Sequence, residues 1–385
     1  MIPYGKQDIN QHDINAVIEV LKSKYLTQGT VVPEFEKEIC HYAGAKYGVA
    51  VNSATSALHI ACLALGVGKG DMVWTSPISF VASANCALYC GADIDFIDID
   101  EHTFNISASK IEEKLSEHRK NNQPLPKVII PIHMAGQSCD MKAIHKLSQE
   151  YGFKIIEDAS HAIGAKYRDQ PVGNSFYSDI TVFSFHPVKI ITTGEGGLAV
   201  TNSHELSQKM RLLRSHGVTR EDSQLLEYHG PWYYEQKILG FNYRLTEIQA
   251  ALGLSQLERL NKFIEQRKQI SKQYINELDG LPIDLPRIDE YCQSSWHLFI
   301  IKLNLEKMSK SHTQIFSELR ASGLGVNLHY IPIYRQPYYQ NLGFKVGYCP
   351  VAEDYYSRAI SIPIFHGMTE QDQKQVTSVV ARVLS

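Results

Sequence analysis

The sequence predicts an α/β fold with a large domain on a mainly parallel sheet and a smaller C-terminal α/β domain. Three observations lead there. Between residues 47 and 156, short apolar runs alternate with stretches of helical periodicity. That is the pattern of parallel strands joined by helices that cover both sheet faces. Near residue 245 the alternation stops and a long helical stretch takes over. The 385 residues also exceed what a single hydrophobic core organises in most chains. The domains are placed at 1–248 and 249–385, with the N-terminal segment packing on the small domain.

The elements follow in order. Ile14, Val17, Ile18 and Leu21 share one helical face. A second helix is expected after Pro33 and a stop at Gly44, the usual proline-start and glycine-stop asymmetry. Residues 47–51 read as a buried strand and 55–66 as the helix that follows. Residues 72–75 form the next strand, with a helix after Ser79. Further strands are expected at 94–97, 128–132 and 153–156, and a helix at 140–151. Thr246 and Gln249, three apart, suit a capping box. The periodic stretch after them runs to about residue 278 without proline, long enough to bridge two domains as one helix. A strand at 296–303, a helix at 313–322 and a closing helix after Thr369 complete the chain.

Composition narrows the function. Apolar residues make up 44% and charged residues 21%, and the formal net charge is -3. Such a balance gives no support to a nucleic-acid or membrane partner. No run approaches the ~20 apolar residues of a membrane span, and the opening residues lack an apolar signal core. The seven cysteines are scattered, with no Cys-x-x-Cys pair, so neither a disulfide framework nor a metal site is indicated. A reducing cytoplasm is the expected location.

Lys189 carries the most chemical information. It ends Ser184-Phe185-His186-Pro187-Val188-Lys189, ahead of the glycine-rich Gly194-Glu195-Gly196-Gly197. Asp158 follows the apolar run at 153–156. A loop lysine and an aspartate at a strand end suit an aldehyde cofactor. The amine holds the aldehyde as a Schiff base and the carboxylate holds a pyridinium nitrogen. Asn52-Ser53-Ala54-Thr55-Ser56 turns a strand into a helix. Its hydroxyls either cap that helix or join its free N–H groups in binding phosphate. Phe80 lies near the expected carboxyl edge of the sheet, either stacked on a flat cofactor or packed in the core. His161 either orients Asp158 or is a satisfied core histidine, and Ser184 points toward the lysine's site.

Together these segments, with Gly240-Phe241-Asn242-Tyr243-Arg244-Leu245 and Glu247-Ile248-Gln249-Ala250, resemble the DegT/DnrJ/EryC1/StrS family. Its members are pyridoxal-phosphate-dependent nucleotide-sugar aminotransferases. The resemblance runs from Leu26 to Pro363 and implies the aminotransferase fold of type I. It also implies roles. Lys189 is the Schiff-base lysine and proton carrier, and Asp158 the partner of the pyridine nitrogen. Phe80 stacks on the ring, His161 joins the cofactor site, and Thr55, Ser56 and Ser184 bind the phosphate. Asn242 reaches the phosphate of a neighbouring subunit, which implies a homodimer with shared sites. Ala54 and His161 depart from the glycine and glutamine of many relatives.

Within the family the chain is most similar to the subfamily of pseudaminic acid biosynthesis. The carriers are Leu213-Arg214-Ser215-His216-Gly217, Leu252-Gly253-Leu254-Ser255-Gln256-Leu257 and His329-Tyr330-Ile331-Pro332-Ile333-Tyr334. That resemblance implies transamination at C4 of a UDP-linked 4-keto-6-deoxy-N-acetyl-hexose, with glutamate as donor. It places His329, Tyr330 and Tyr334 on the sugar side of the pocket. The rivals are another keto sugar, D-xylo 4-keto or 3-keto, and a non-catalytic cofactor-binding regulator. Lys189 stands against the family's dehydratases, which carry histidine there. For the donor carboxylate, Arg214, Arg220 and Arg244 remain open.

Overall fold

The computed structural model describes residues 1–385. Its central sheet has seven strands: β1 (Tyr47–Val51), β2 (Met72–Thr75), β3 (Asp93–Phe96), β4 (Val128–Ile130), β5 (Lys154–Asp158), β6 (Ile180–Ser184) and β7 (Gly197–Thr201). They lie in the order β1-β7-β6-β5-β4-β2-β3, and only β7 runs antiparallel to its neighbours. Strands covered on both faces need apolar residues at successive positions. Accordingly, β4 and β6 are buried throughout.

Helices α1 (Gln11–Lys22), α2 (Val31–Ala43), α3 (Ala54–Ala64), α4 (Ala82–Tyr89), α5 (Ala108–Lys120), α6 (Met141–Tyr151) and α7 (His204–Arg214) precede, separate or follow these strands. Gly44 ends α2 at φ 74°, a left-handed conformation that glycine adopts without steric cost. This helix starts at Val31, before Pro33. The first N–H groups of a helix have no internal acceptor, so proline in the first turn forfeits nothing.

After the sheet come α8 (Glu247–Leu257) and α9 (Leu260–Leu278). The capping box expected at Thr246 and Gln249 is present. The single long helix expected to bridge two domains is not, because the chain breaks at Glu258 and Arg259. Tertiary pairing accompanies the break. Arg259 binds Asp8 at 2.6 Å and the fully buried Asp13 at 2.5 Å, which ties the joint to the N-terminal segment.

Beyond the helices stands an antiparallel sheet of β8 (Ile283–Asp284), β9 (Phe299–Leu303) and β10 (Ala359–Ile362), with α10 (His312–Ala321) and the closing α11 (Glu370–Leu384). Their shared core gathers residues between Ile270 and Leu384 together with Ile2. Ile2–Pro3 pairs in parallel with Leu324–Gly325, so the N-terminus is strapped to this C-terminal layer. No helix is long and apolar enough to cross a membrane.

Candidate active site

A cavity of about 960 Å³ opens at the carboxyl ends of the central strands. Its walls combine the ends of β1, β5 and β6 with the segment Asn327–Tyr330 from the C-terminal layer. Open α/β sheets place ligands at this edge because the strands end there and the following helices begin.

One wall is the start of α3. Ser53 caps the helix by accepting from the Ser56 N–H at 3.1 Å, and Ser56 Oγ donates to Asn52 Oδ1 at 2.7 Å. The N–H groups of Ala54 and Thr55 have no acceptor within the helix, so a partial positive charge faces the cavity. Gly197 on β7 permits the close approach of this turn. A Cβ there would stand 2.4 Å from the Ala54 nitrogen.

Asp158 ends β5 and is 4% exposed. Its backbone is pinned on both sides. Its N–H donates to the Pro131 carbonyl at 2.9 Å, and its carbonyl accepts from His133 at 3.1 Å. Its carboxylate has no cationic partner within ion-pair range. Oδ2 accepts from Ser83 Oγ at 2.7 Å, and Oδ1 from Ser160 N and Oγ at 3.1 and 2.5 Å.

Ser184 ends β6, and the lysine loop follows. Phe185, Ile190 and Ile191 anchor that loop in the core behind it. The Lys189 N–H donates to His186 O and Thr193 N–H to Phe185 O. Gln249, inside the α8 capping box, donates to Glu195 O at 2.7 Å and holds the glycine-rich turn. Lys189 thereby faces the cavity. Burial pulls its ammonium down to about 8, with the charge of Asp158 pulling the other way.

Two histidines, His161 and His329, line the far wall, and His297 packs against the first. The buried His161 touches Tyr330 OH through Nε2 at 3.2 Å, and its ring lies 4.4 Å from that of His297. Burial, with Lys189 and His329 nearby, holds His161 well below its usual range, so it is neutral. Its Nδ1 is buried without a partner. His161 makes no hydrogen bond to Asp158, and with Nδ1 unpartnered it is not a satisfied core histidine either, so neither of its two sequence readings is met. His329 bonds Ser361 Oγ at 2.8 Å and Asn327 at 3.3 Å, and burial pushes it to about 3.

Of the residues singled out in the sequence, Thr55, Ser56, Phe80, Asp158, His161, Ser184, Lys189, His329 and Tyr330 all line this cavity. Phe80 is 61% exposed, which excludes the core-packing alternative. Asn242 is exposed and lies outside the cavity of its own chain.

Tyr334 is a correction. It is fully buried away from the cavity, and its hydroxyl donates to Glu353 at 2.6 Å, so it cannot touch a sugar in this pocket. Arg214 is likewise committed elsewhere, to Glu36 at 2.6 Å and the Ala50 carbonyl at 2.8 Å. Sequence reasoning missed Tyr4, Ser83, Ser160 and Asn327 in the walls. Tyr4 and Asn327 arrive from distant elements and carry no spacing signal, whereas Ser160 and Ser83 lie close in sequence to Asp158 and Phe80 and bond locally to them.

Comparison with known proteins adds to this geometry. Residues 7–381 match the DegT/DnrJ/EryC1/StrS aminotransferase family. The UDP-4-amino-4,6-dideoxy-N-acetyl-beta-L-altrosamine transaminase of Campylobacter jejuni is 38% identical over 388 residues, covering 100% of this chain and 98% of its own. Among solved structures, Helicobacter pylori PseC, an aminotransferase involved in the biosynthesis of pseudoaminic acid, is 32% identical. It superposes with a TM-score of 0.91 over 100% of this chain and 99% of its own. The PLP-form of the putative sugar aminotransferase Spr1654 from Streptococcus pneumoniae is 28% identical, with a TM-score of 0.89 over 99% and 98% of the two chains.

Proposed function

Because this chain belongs to the DegT/DnrJ/EryC1/StrS aminotransferase family, whose members use pyridoxal phosphate, we propose that it aminates C4 of UDP-2-acetamido-2,6-dideoxy-β-L-arabino-hex-4-ulose. L-Glutamate is the donor and UDP-4-amino-4,6-dideoxy-N-acetyl-β-L-altrosamine the product. The observation that carries the chemistry is the meeting of Lys189, Asp158 and the α3 N-terminus in one cavity. The choice of sugar rests on the name of the 38% identical relative.

The residues present suit the cofactor. A buried carboxylate held only by neutral donors, an amine of lowered pKa, an open helix N-terminus and the unpartnered His161 Nδ1 match its ring nitrogen, aldehyde, phosphate and polar ring substituent. Bound pyridoxal phosphate supplies an electron-accepting ring and a carbonyl that takes up the amino group. Thr55, Ser56 and Ser184 hold the phosphate in this reading, and Phe80 offers its exposed ring face. Asp158 keeps the ring nitrogen protonated. At pH 7 an amine with a pKa near 8 is about one-tenth free base, enough to bind the aldehyde and shuttle a proton at Nζ. His329 and Tyr330 border the sugar side. Both are electrically neutral near pH 7, since burial drives the histidine down and the phenol up.

A second copy of the chain is part of the proposal. Leu226, Tyr228, Trp232, Tyr234 and Leu239 expose 54% to 87% of their surface within one short segment, and contiguous apolar exposure of this kind marks an interface. Asn242 follows directly and is assigned to the partner's phosphate. A mixed dimer tests it, with one chain Lys189→Ala and the other Asn242→Ala. A shared site places both defects together, so about half of wild-type activity survives per dimer. If Asn242 acts within its own chain, both sites are impaired and activity falls well below half, provided Asn242→Ala homodimers are themselves severely impaired. A cytoplasmic location completes the reading, supported by seven unpaired cysteines.

Substrate choice is tested with the two sugar epimers. The L-arabino sugar is expected to exceed the D-xylo one in kcat/KM by at least ~100-fold, or about 2.7 kcal/mol. An inverted ring carbon turns substituents away from buried polar partners, which are then left unsatisfied. NMR of the product gives its configuration. Equal values, or preference for the D-xylo sugar, would remove the altrosamine assignment and leave the aminotransferase one standing.

A further inference from the structure

We propose that Ser83, backed by Ser79, is a positioning residue whose hydroxyl holds and orients the Asp158 carboxylate, so that the shared proton stays on the cofactor's ring nitrogen. The proposal rests on the role given to Asp158 above.

The ionised Asp158 that its role opposite the ring nitrogen requires sets the hydrogen-bond directions. An ionised carboxylate only accepts, so the 2.7 Å contact between Ser83 Oγ and Asp158 Oδ2 uses the single proton of Ser83. Ser83 then has none left for Ser79, 2.8 Å away, so Ser79 must donate to Ser83. The result is a one-way chain from Ser79 to Ser83 to Asp158. Ser79 and Ser83 are 6% and 1% exposed. Water therefore competes little with the chain, and each donated bond polarises the next.

Placement adds a second argument. The Ser83 N–H donates to Phe80 O at 3.3 Å, so a single turn at the start of α4 carries both the Phe80 ring and the hydroxyl on Asp158. The stacking face and the acceptor for the ring nitrogen are thus set by one local structure. Ser160 cannot substitute for Ser83, because its N–H and hydroxyl both occupy the other oxygen, Oδ1. His161 makes no contact with the carboxylate, and no cation shares it. Ser83 is the only side chain that binds Oδ2.

The consequence concerns where a proton sits. Donors to a carboxylate stabilise its charged form and lower its affinity for a proton. With Ser83 in place, the carboxylate is held by a donated bond and faces the ring nitrogen in one orientation, which favours a proton on that nitrogen. Without it, Oδ2 loses its one side-chain donor, the carboxylate is freer to rotate, and the ring nitrogen's positive charge is less well held.

The test uses holoenzyme reconstituted with pyridoxal phosphate labelled with nitrogen-15 in the ring. The ring-nitrogen shift is followed across pH for wild type and for Ser83→Ala, Ser83→Thr, Ser79→Ala and Asp158→Asn. Wild type should hold a protonated-ring shift at every pH where it is folded. Ser83→Ala should move toward the neutral-ring shift and become pH-dependent. Its kcat should fall about 10- to 100-fold, the effect of losing one hydrogen bond to a charged group, while KM for the sugar changes much less. Ser83→Thr keeps the hydroxyl and should restore both readouts, and Ser79→Ala should show a smaller shift of the same sign. A wild-type shift and kcat in Ser83→Ala would overturn the proposal, as would failure of a folded Ser83→Thr to restore them. Should Ser83→Ala not fold, Ser79→Ala decides, and a wild-type shift there overturns the proposal. If Asp158→Asn also leaves the shift unchanged, the role of Asp158 itself fails. If Asp158→Asn moves it and Ser83→Ala does not, only the relay fails.

Discussion

Lys189→Ala should lower turnover by at least ~10³-fold, about 4 kcal/mol of lost transition-state stabilisation. The variant removes both the amine that binds the aldehyde and the group that moves the proton, and no other primary amine lines the cavity. The fold should survive. The lysine loop is held by backbone bonds, Lys189 N–H to His186 O at 2.9 Å and Thr193 N–H to Phe185 O at 3.0 Å, and by the buried Phe185, Ile190 and Ile191. Alanine leaves all of these in place. Circular dichroism checks the fold, and steady-state assay with glutamate and the keto sugar checks the rate. Activity within tenfold of wild type would refute the assignment. A companion measurement uses wild-type apoenzyme. Burial sets the Lys189 amine near 8, and only its unprotonated form attacks an aldehyde. The rate of covalent capture of pyridoxal phosphate should therefore rise with pH and level off above about 8. A flat profile from pH 6 to 9 would assign capture to another group.

Asp158→Asn should retain the fold and lose about 10²- to 10³-fold in rate, the scale seen when one preorganised electrostatic group is removed. Asparagine matches the shape, and its carbonyl can still accept from Ser160 N and Oγ, now 3.1 and 2.5 Å from Oδ1. Its amide then faces Ser83. Ser83 can reverse, accepting from the amide and donating to Ser79, 2.8 Å away. The network therefore has a neutral, satisfied alternative, and thermal stability should change by no more than about 2 kcal/mol, the scale of one exchanged buried hydrogen bond. What cannot be replaced is the negative charge opposite the ring nitrogen. Thermal melting with steady-state kinetics separates the two effects. Normal turnover in a folded variant would assign the ring-nitrogen contact to another residue.

Much of the sheet was legible because covered parallel strands leave a local trace. Residues 47–51 and 72–75 are short, mainly apolar runs followed by small polar residues, and both strands occur at those bounds. The start of α8 was equally local, since a capping box is completed within four residues. Strand β6 was expected only as an unbounded apolar strand ahead of the lysine loop, and β7 was not singled out. Ile-Thr-Val-Phe-Ser and Gly-Leu-Ala-Val-Thr mix polar or glycine positions with apolar ones, and these become strands through pairing with each other and with β1 and β5. The break between α8 and α9 has no signal of its own. Arg259 is bound there by Asp8 and Asp13, some 250 positions earlier in the chain.

The site divides the same way. The sequence by itself determined the family and the residues with chemical identity: the loop lysine, the aspartate at a strand end, the hydroxyls at a helix start, the ring of Phe80. Each lies in a short motif, and it is the motifs in combination that carry the family; the exposure of Phe80 was decided by the tertiary structure. Only the tertiary structure decided which groups meet. It brought Ser83 onto Asp158 across 75 positions and Tyr330 onto His161 across 169. It also took Tyr334, adjacent in sequence to the pocket segment, and buried it on Glu353 instead. The physical reason is range. Caps, turns and periodicity are set by neighbours a few residues apart, whereas a hydrogen bond under 3.5 Å between distant elements depends on the packing of every layer between them.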